Sequence, residues 1–104
     1  MSEKELEAFI DESINRSVKA GYSPFVFQRM RRDHGTQEAV RRLVEADVFQ
    51  SGLQKLQDLG LLDWSVEAAA IRFPDLFSHT TLEYAGFKLS MAKDRRLKGL
   101  KGPK

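Results

Sequence analysis

Apolar residues recur at helical spacing along the chain, and the first such stretch is the clearest. Its apolar residues lie at positions i, i+3, i+4 and i+8: Leu6, Phe9, Ile10 and Ile14. This spacing is typical of an amphipathic α-helix with one buried face. Ser2 and Glu5 have the spacing of a capping box, and Gly21 suits the left-handed position just past a helix end. We therefore predict a helix over residues 2–20.

Three further helices are predicted in the next forty residues. The second begins with Ser23 as N-cap and Pro24 as its first helical residue, and it ends at Gly35. Its expected buried face consists of Val26, Phe27 and Met30. The third is capped by Thr36 and buries Ala39, Val40, Leu43 and Val44. The fourth runs from about residue 48 to 59, buries Phe49, Leu53 and Leu56, and ends at Gly60.

The second half of the chain predicts a buried connector and two more helices. Residues 61–64 form the connector, and Trp64 is expected to be largely buried there. Ser65 caps a fifth helix, which ends at Pro74 and buries Val66, Ala69, Ala70 and Phe73. Ser78 caps a sixth helix, which buries Leu82, Ala85, Gly86 and Leu89. Because no useful length of sequence alternates with period two, we predict an all-α bundle of five or six short helices.

Composition supports this class and excludes several chemistries. Hydrophobic residues make up 41% of the 104 residues, enough for one folded domain with a core. The absence of cysteine excludes disulfides, thiolate catalysis, cysteine-ligated zinc and iron–sulfur clusters. No secretory signal or membrane-spanning segment is readable, so we expect a cytoplasmic protein of bacterial type.

Charge divides the chain into two regions. Residues 93–104 contain six basic residues and one acidic residue, a net charge of +5. Residues 1–92 carry 11 basic and 14 acidic side chains, a net charge of −3. We therefore predict a helical domain over residues 1–92 and a basic, flexible tail over residues 93–104, where Gly99, Gly102 and Pro103 disfavour helix.

The middle of the chain resembles a known family of small bacterial all-α domains. The resemblance rests on Gly21-Tyr22-x-Pro24-x-x-Phe27-x-x-Met30, on Gly35-x-x-x-Ala39-x-x-x-Leu43, on Leu76-Phe77 and, above all, on Ser51-Gly52-Leu53-x-x-Leu56-x-x-Leu59-Gly60-x-Leu62-Asp63-x-Ser65-Val66-Glu67. It covers roughly residues 21–90. It implies a helical domain, found alone or attached to larger bacterial proteins, some of them connected with DNA processing or defence. It implies no catalytic residues.

The residues themselves indicate no catalytic, cofactor or metal site. His34 and His79 lie 45 residues apart, and neither has a carboxylate or second histidine at a helical ligand spacing that repeats elsewhere. Ser65 and Ser78 are best explained as helix N-caps, and Glu67 as a first-turn acid that complements the helix dipole. Nucleophile-elbow and phosphate-loop motifs are missing. We therefore expect a protein that is not an enzyme and takes no cofactor.

Two basic groups are candidates for binding a nucleic acid or another partner. The first consists of Arg29, Arg31, Arg32, Arg41 and Arg42 around a helix–glycine–helix junction. The second consists of Arg95, Arg96, Lys98 and Lys101 in the tail. Glu38 and Glu45 lie at i+3 and i+4 spacing from the arginines of the third helix, which favours a mixed-charge solvated face there.

Three aromatic residues fall outside the predicted buried faces: Phe25, Tyr84 and Phe87. They are candidates for an exposed patch, and such patches mark interaction surfaces. The favoured hypothesis is a non-enzymatic bacterial protein–protein adaptor, regulator or inhibitor, connected with defence or counter-defence. A small DNA- or RNA-binding protein is the alternative, and a homodimerising structural accessory is the third hypothesis.

Overall fold

The structure is a computed structural model that describes residues 2–46 and 51–101, with side chains over 2–46 and 52–93. Its α-helices are α1 (Glu3–Lys19), α2 (Phe25–His34), α3 (Thr36–Val44), α4 (Ser51–Asp58), α5 (Val66–Arg72) and α6 (His79–Lys101). Short 3-10 helices span Leu62–Trp64 and Pro74–Leu76. No β-strand occurs in the described residues. The predicted all-α class is confirmed.

Helix α1 begins and ends where the sequence predicts. The Glu5 backbone N–H donates to the Ser2 hydroxyl at 3.3 Å, and the Ser2 N–H donates to Glu5 Oε1 at 2.9 Å. These reciprocal bonds complete the capping box. At the other end Gly21 has φ of 94°, and the Tyr22 N–H donates to the Ser17 carbonyl at 2.9 Å. This pattern is a Schellman termination, which favours glycine.

The predicted start of α2 is wrong by one residue. Pro24 has φ of −81° and ψ of 72°, and the Phe25 N–H donates to the Ser23 carbonyl at 2.9 Å. This is an inverse γ-turn, so Pro24 precedes the helix instead of opening it. Ser23 therefore makes no N-cap bond, and Val26 is 69% exposed instead of buried.

One other capping residue differs in role. Gly35, with φ of 89°, separates α2 from α3, and Thr36 is the buried first residue of α3 instead of its cap. Ser65 does cap α5, because its hydroxyl accepts the Ala68 N–H at 3.1 Å. The glycine expected to end α4, Gly60, has φ of 75°. The prediction for Phe49 lies outside the described residues.

The main core is formed by α1, α2, α3, α5 and α6. Its buried side chains are Leu6, Ile10, Phe27, Ala39, Val40, Val44, Ala69, Ala70, Phe73 and Ala85. Because so many of these residues are alanines, α5 can approach α3 and α6 closely, and it packs against both helices. A smaller cluster of Leu53, Leu62 and Ala92 joins α4 to α6.

The buried face of α6 is rotated from the predicted one. Thr81, Ala85, Lys88 and Ala92 are buried, whereas Leu82, Gly86 and Leu89 are half-buried. The buried set follows a seven-residue repeat along one helix face. Helix α6 also continues to Lys101, past the boundary predicted at residue 92. Leucine, lysine and arginine have high helix propensity, which accounts for helix over residues 93–101.

Candidate binding sites

Arg31 of the arginine cluster is a structural residue that ties α1 to the α2–α3 junction. Its Nη2 atom lies 2.5 Å from Glu7 Oε1 and 2.8 Å from Asp11 Oδ1. Its Nε atom donates to the Thr36 hydroxyl at 2.8 Å, and that hydroxyl donates to Glu7 at 2.7 Å. The hydrogen bond from Arg31 is the main reason that the pKa of Glu7 is lowered. Arg31 is therefore occupied within the fold.

Arg41 and Arg42 form the mixed-charge face expected from their spacing. Arg41 bonds Glu38 at 2.6 Å and Glu45 at 3.0 Å, and Arg42 bonds Glu38 at 2.8 Å. Hydrogen bonds from the two arginines lower the pKa of Glu38 to about 2. Glu45 also accepts a hydrogen bond from Thr81 and so connects α3 with α6. Because both arginines are paired with carboxylates of the same helix face, they are less available to bind phosphates than unpaired arginines would be.

The remaining basic candidates are distributed over two places. Arg29 and Arg32 are exposed on α2, and neither makes an ion pair with any residue in the described part of the chain. Arg95, Arg96, Lys98 and Lys101 lie in the last turns of α6, where only the backbone is described. The structure thus leaves a smaller basic group on α2 and a helical basic segment at the end of α6.

All three candidate aromatic side chains are exposed. Phe25 is 74% exposed, Phe87 is 64% exposed and Tyr84 is 37% exposed. Tyr84 and Phe87 lie three residues apart on α6, so they share one face of that helix. Phe25 lies in the first turn of α2, beside the exposed Val26. The aromatic residues therefore provide two apolar positions on different helices.

A cavity of about 340 Å³ opens beside Phe25. It is bounded by the second half of α1, the turn into α2, the end of α3, α4 and the first turn of α5. Most of its wall is apolar, including Ile14, Phe27, Leu43, Leu53, Leu56 and Val66. Trp64 also contributes to the wall, with its ring stacked on Phe9 at 4.8 Å between centroids. The volume and the lining are those of a small-molecule pocket, which typically measures about 300–1,000 Å³.

Glu67 is the only charged residue among the described residues that line this cavity. It follows Val66 in the first turn of α5, and its side chain is 1% exposed. The Oε2 atom is buried and has no hydrogen-bond partner. Loss of solvation raises the pKa of Glu67 to about 6, while a bond from its own backbone N–H and the charge of Lys88 act in the opposite direction.

Lys88 is a second buried charged residue, on α6. It is 4% exposed, and its Nζ atom donates to the Leu43 carbonyl at 3.1 Å. Lys88 is thus held between α6 and α3 while its charge acts on Glu67. A buried carboxylate and a buried ammonium in one small domain are costly unless they are used or compensated.

Sequence reasoning missed both Glu67 and Lys88. Glu67 was interpreted as a first-turn acid that complements the helix dipole, yet it lies three residues before the inward-facing Ala70 and is buried. Lys88 lies three residues after the inward-facing Ala85. Helical spacing from a correctly assigned buried residue therefore contained the signal in both cases.

The described residues contain neither a metal cluster nor a membrane helix. No group of three or more histidine, aspartate or glutamate side chains in residues 2–46 and 51–93 is arranged to hold a metal ion. His79 is exposed and lies 3.3 Å from Glu83. No helix over the described ranges has the length and hydrophobicity needed to cross a membrane.

Comparisons with protein-family models, with curated proteins and with solved structures found no match to this chain.

Proposed function

We propose that this protein is a non-catalytic binding domain that docks another protein through its exposed aromatic side chains. The observation that carries the proposal is the exposure of Phe25 and Phe87, at 74% and 64%. Burial of a large, solvent-exposed aromatic side chain against a partner is energetically favourable, and such residues are enriched at protein interfaces. The exposed Val26 enlarges the apolar position at Phe25 on α2, and Tyr84 enlarges the one at Phe87 on α6.

The state of the charged residues supports a protein partner over a nucleic acid. Three of the five clustered arginines bond carboxylates of the same domain. Residues 1–92 carry a net charge of −3, which repels phosphates at long range. With the resemblance to bacterial helical domains, these features support a cytoplasmic adaptor, regulator or inhibitor, connected with defence or counter-defence.

The proposal is tested by measuring how much partner protein each immobilised variant captures from an extract of the native host. Immobilised wild type, Phe25→Ser and Phe87→Ser are compared for the same co-purifying protein, and Val18→Ser serves as control because Val18 is a non-aromatic apolar residue that is 49% exposed. We expect at least one aromatic variant to lose most of the captured protein while the control retains it. Equal capture by all four proteins, or capture of nothing but a second copy of this chain, contradicts the proposal.

Nucleic-acid binding is the second candidate, favoured by one specific observation. Helix α6 continues through Arg95, Arg96, Lys98 and Lys101, so these cations lie along a helix that can follow a phosphate backbone. Titration of duplex DNA with the full chain and with a chain lacking residues 93–104 separates the candidates. The second candidate requires steeply salt-dependent binding that the deletion abolishes, whereas a protein-binding domain retains its partner after the deletion.

A further inference from the structure

We propose that the cavity beside Phe25 and the outer face of α2 together bind an acidic, amphipathic segment of a partner protein. An apolar side chain of that segment enters the cavity, and its carboxylates pair with Arg29 and Arg32. This inference rests on the proposed protein-docking function and adds the chemistry of the partner. It also assigns the docking to α2 instead of to the aromatic pair on α6.

The outer face of α2 changes from apolar to basic along its length. Phe25, Arg29 and Arg32 lie at positions i, i+4 and i+7, so they form one stripe along the helix. All three are exposed, as is Val26 next to Phe25. Since an α-helix rises about 1.5 Å per residue, Arg29 lies about 6 Å and Arg32 about 10.5 Å along the axis from Phe25. A partner helix that carries carboxylates about one and two turns from an apolar side chain matches this spacing.

The two arginines of this stripe are available to carboxylates from outside the domain. In contrast to Arg31, Arg41 and Arg42, neither makes an ion pair with any residue that the structure describes. Asp33 is the single acidic residue of α2, and it is exposed and pairs with neither arginine. Two cations beside one anion leave this face positive on a domain whose residues 1–92 carry a net charge of −3. Charge complementarity therefore favours an acidic segment.

The cavity accommodates the apolar end of such a segment. Phe25 and Val26 line it and are exposed, so they lie at its mouth, where the stripe begins. Behind them the wall is mostly apolar, and the volume of about 340 Å³ admits an aromatic or aliphatic side chain. Glu67 is the only charged residue among the described lining residues, and because it is 1% exposed the wall offers no accessible charge. The cavity therefore selects an uncharged side chain, whose entry also covers the apolar mouth.

A protein segment fits this surface better than a nucleic acid does. Phosphates could also pair with the two arginines, but nucleotide bases carry polar edges that would lose their hydrogen bonds against an apolar wall. An aliphatic or aromatic side chain of a polypeptide has no such cost, and apolar anchors surrounded by a polar rim are the usual anatomy of a protein interface. Binding of a nucleic acid at this face is therefore an outcome that the experiment must separate.

Selection from a phage-displayed library of short random peptides tests the proposal without knowledge of the natural partner. The full chain is immobilised and the selection is made at about 0.3 M salt, which screens contacts with scattered surface charges such as those of residues 93–104. We expect the enriched peptides to carry an aromatic or aliphatic residue beside several acidic residues. When a synthetic copy of the best peptide is added to isotope-labelled protein, amide resonances should change most along α2 and at Leu53, Leu56 and Val66 in the cavity wall.

Charge reversal on α2 is the decisive variant. Arg29→Glu/Arg32→Glu should weaken the selected peptide at least about tenfold, and a selection on this variant should enrich lysine and arginine in place of the acidic residues. Lys4→Glu/Lys93→Glu is the matched control, with an effect below about twofold, because it changes the net charge equally at exposed residues that do not line the cavity. Val66→Phe should also weaken the peptide, because added bulk fills the cavity. Each variant is first shown to unfold cooperatively, and the charge reversal decides the test if Val66→Phe fails to fold.

The proposal is overturned if no peptide is enriched, if the enriched peptides carry no excess of acidic residues, or if the charge reversal leaves their preference for acids unchanged. Binding of single-stranded DNA at α2 with no enriched peptide overturns it in favour of phosphates. The proposed docking function fails separately, because it requires that Phe25→Ser or Phe87→Ser lose the captured host protein. Loss in Phe87→Ser alone would keep that function and exclude the site on α2.

Discussion

Replacement of Glu67 by glutamine should stabilise the protein at alkaline pH and leave its stability almost unchanged in acid. The carboxyl group is 1% exposed, and burial raises its pKa from 4.5 to about 6. A glutamine side chain has nearly the same shape and retains an oxygen that can accept the bond from the backbone N–H of residue 67. It lacks the charge that burial penalises.

The magnitude follows from the difference in pKa between the folded and the unfolded chain. A raised acid pKa means that the folded state binds the proton more tightly than the unfolded state. The group therefore stabilises the fold below pH 4.5, and this contribution is lost as pH rises to about 6. Each pKa unit corresponds to 1.36 kcal/mol, so the full effect is about 2 kcal/mol. Glu67→Gln should thus exceed wild type by about 2 kcal/mol at pH 8 and by little at pH 4.5.

Urea denaturation followed by Trp64 fluorescence measures this difference at both pH values. An effect of about 2 kcal/mol moves the urea midpoint by about 1 M for a domain of this size. Glu83→Gln is the matched control, because the side chain of Glu83 is 68% exposed on α6 and removal of its charge relieves no burial. If Glu67→Gln were less stable than wild type at pH 8, or if its effect were the same at both pH values, the carboxylate would have to be well compensated in the fold. The argument from burial would then be refuted.

Three other substitutions test the stabilising contacts, each by urea denaturation of the folded variant. Arg31→Met should cost about 1–3 kcal/mol, because it removes the bonds to two carboxylates and a buried hydroxyl, and a loss below 0.3 kcal/mol would show that these bonds contribute nothing. Ser65→Ala should cost about 1 kcal/mol through loss of the N-cap bond of α5, and an unchanged midpoint would contradict that role. Trp64→Ala should lower the free energy of unfolding by about 3 kcal/mol, because the ring is stacked on Phe9 while the residue keeps some exposure. This value is near the lower end of the range for removing a large aromatic side chain. A loss above about 5 kcal/mol would show that the ring is fully buried.

Local sequence signals predicted the helices well where a single interaction decides the outcome. The capping box of Ser2 and Glu5 and the N-cap at Ser65 are made by residues three positions apart, so spacing alone identified them. The start of α2 was wrong because Pro24 has two common roles next to a helix, and the turn geometry chooses between them.

Burial was less predictable because it depends on partners that are distant in sequence. Trp64, which was expected to be largely buried, has intermediate exposure, with Phe9 stacked on its ring and the Arg16 guanidinium 4.4 Å from the ring centroid. The face of α6 was assigned from its leucines, yet the helix buries Thr81 and Lys88, because α3 supplies acceptors for both. Helix propensity and the spacing of apolar residues do not reveal acceptors that lie so far away in the sequence. The cavity at Glu67 was missed for the same reason, since its walls come from five separate stretches of sequence.

Mapping of the partner on the surface of this protein tests the central claim most directly. In a titration of isotope-labelled full chain with the protein recovered by capture, amide resonances report which residues are covered. A docking domain of the proposed kind should show its largest changes at the aromatic positions, around Phe25 on α2 or around Tyr84 and Phe87 on α6. Changes confined to Arg29, Arg32 and residues 93–101, with the aromatic positions unaffected, would contradict the claim and favour binding through the basic residues.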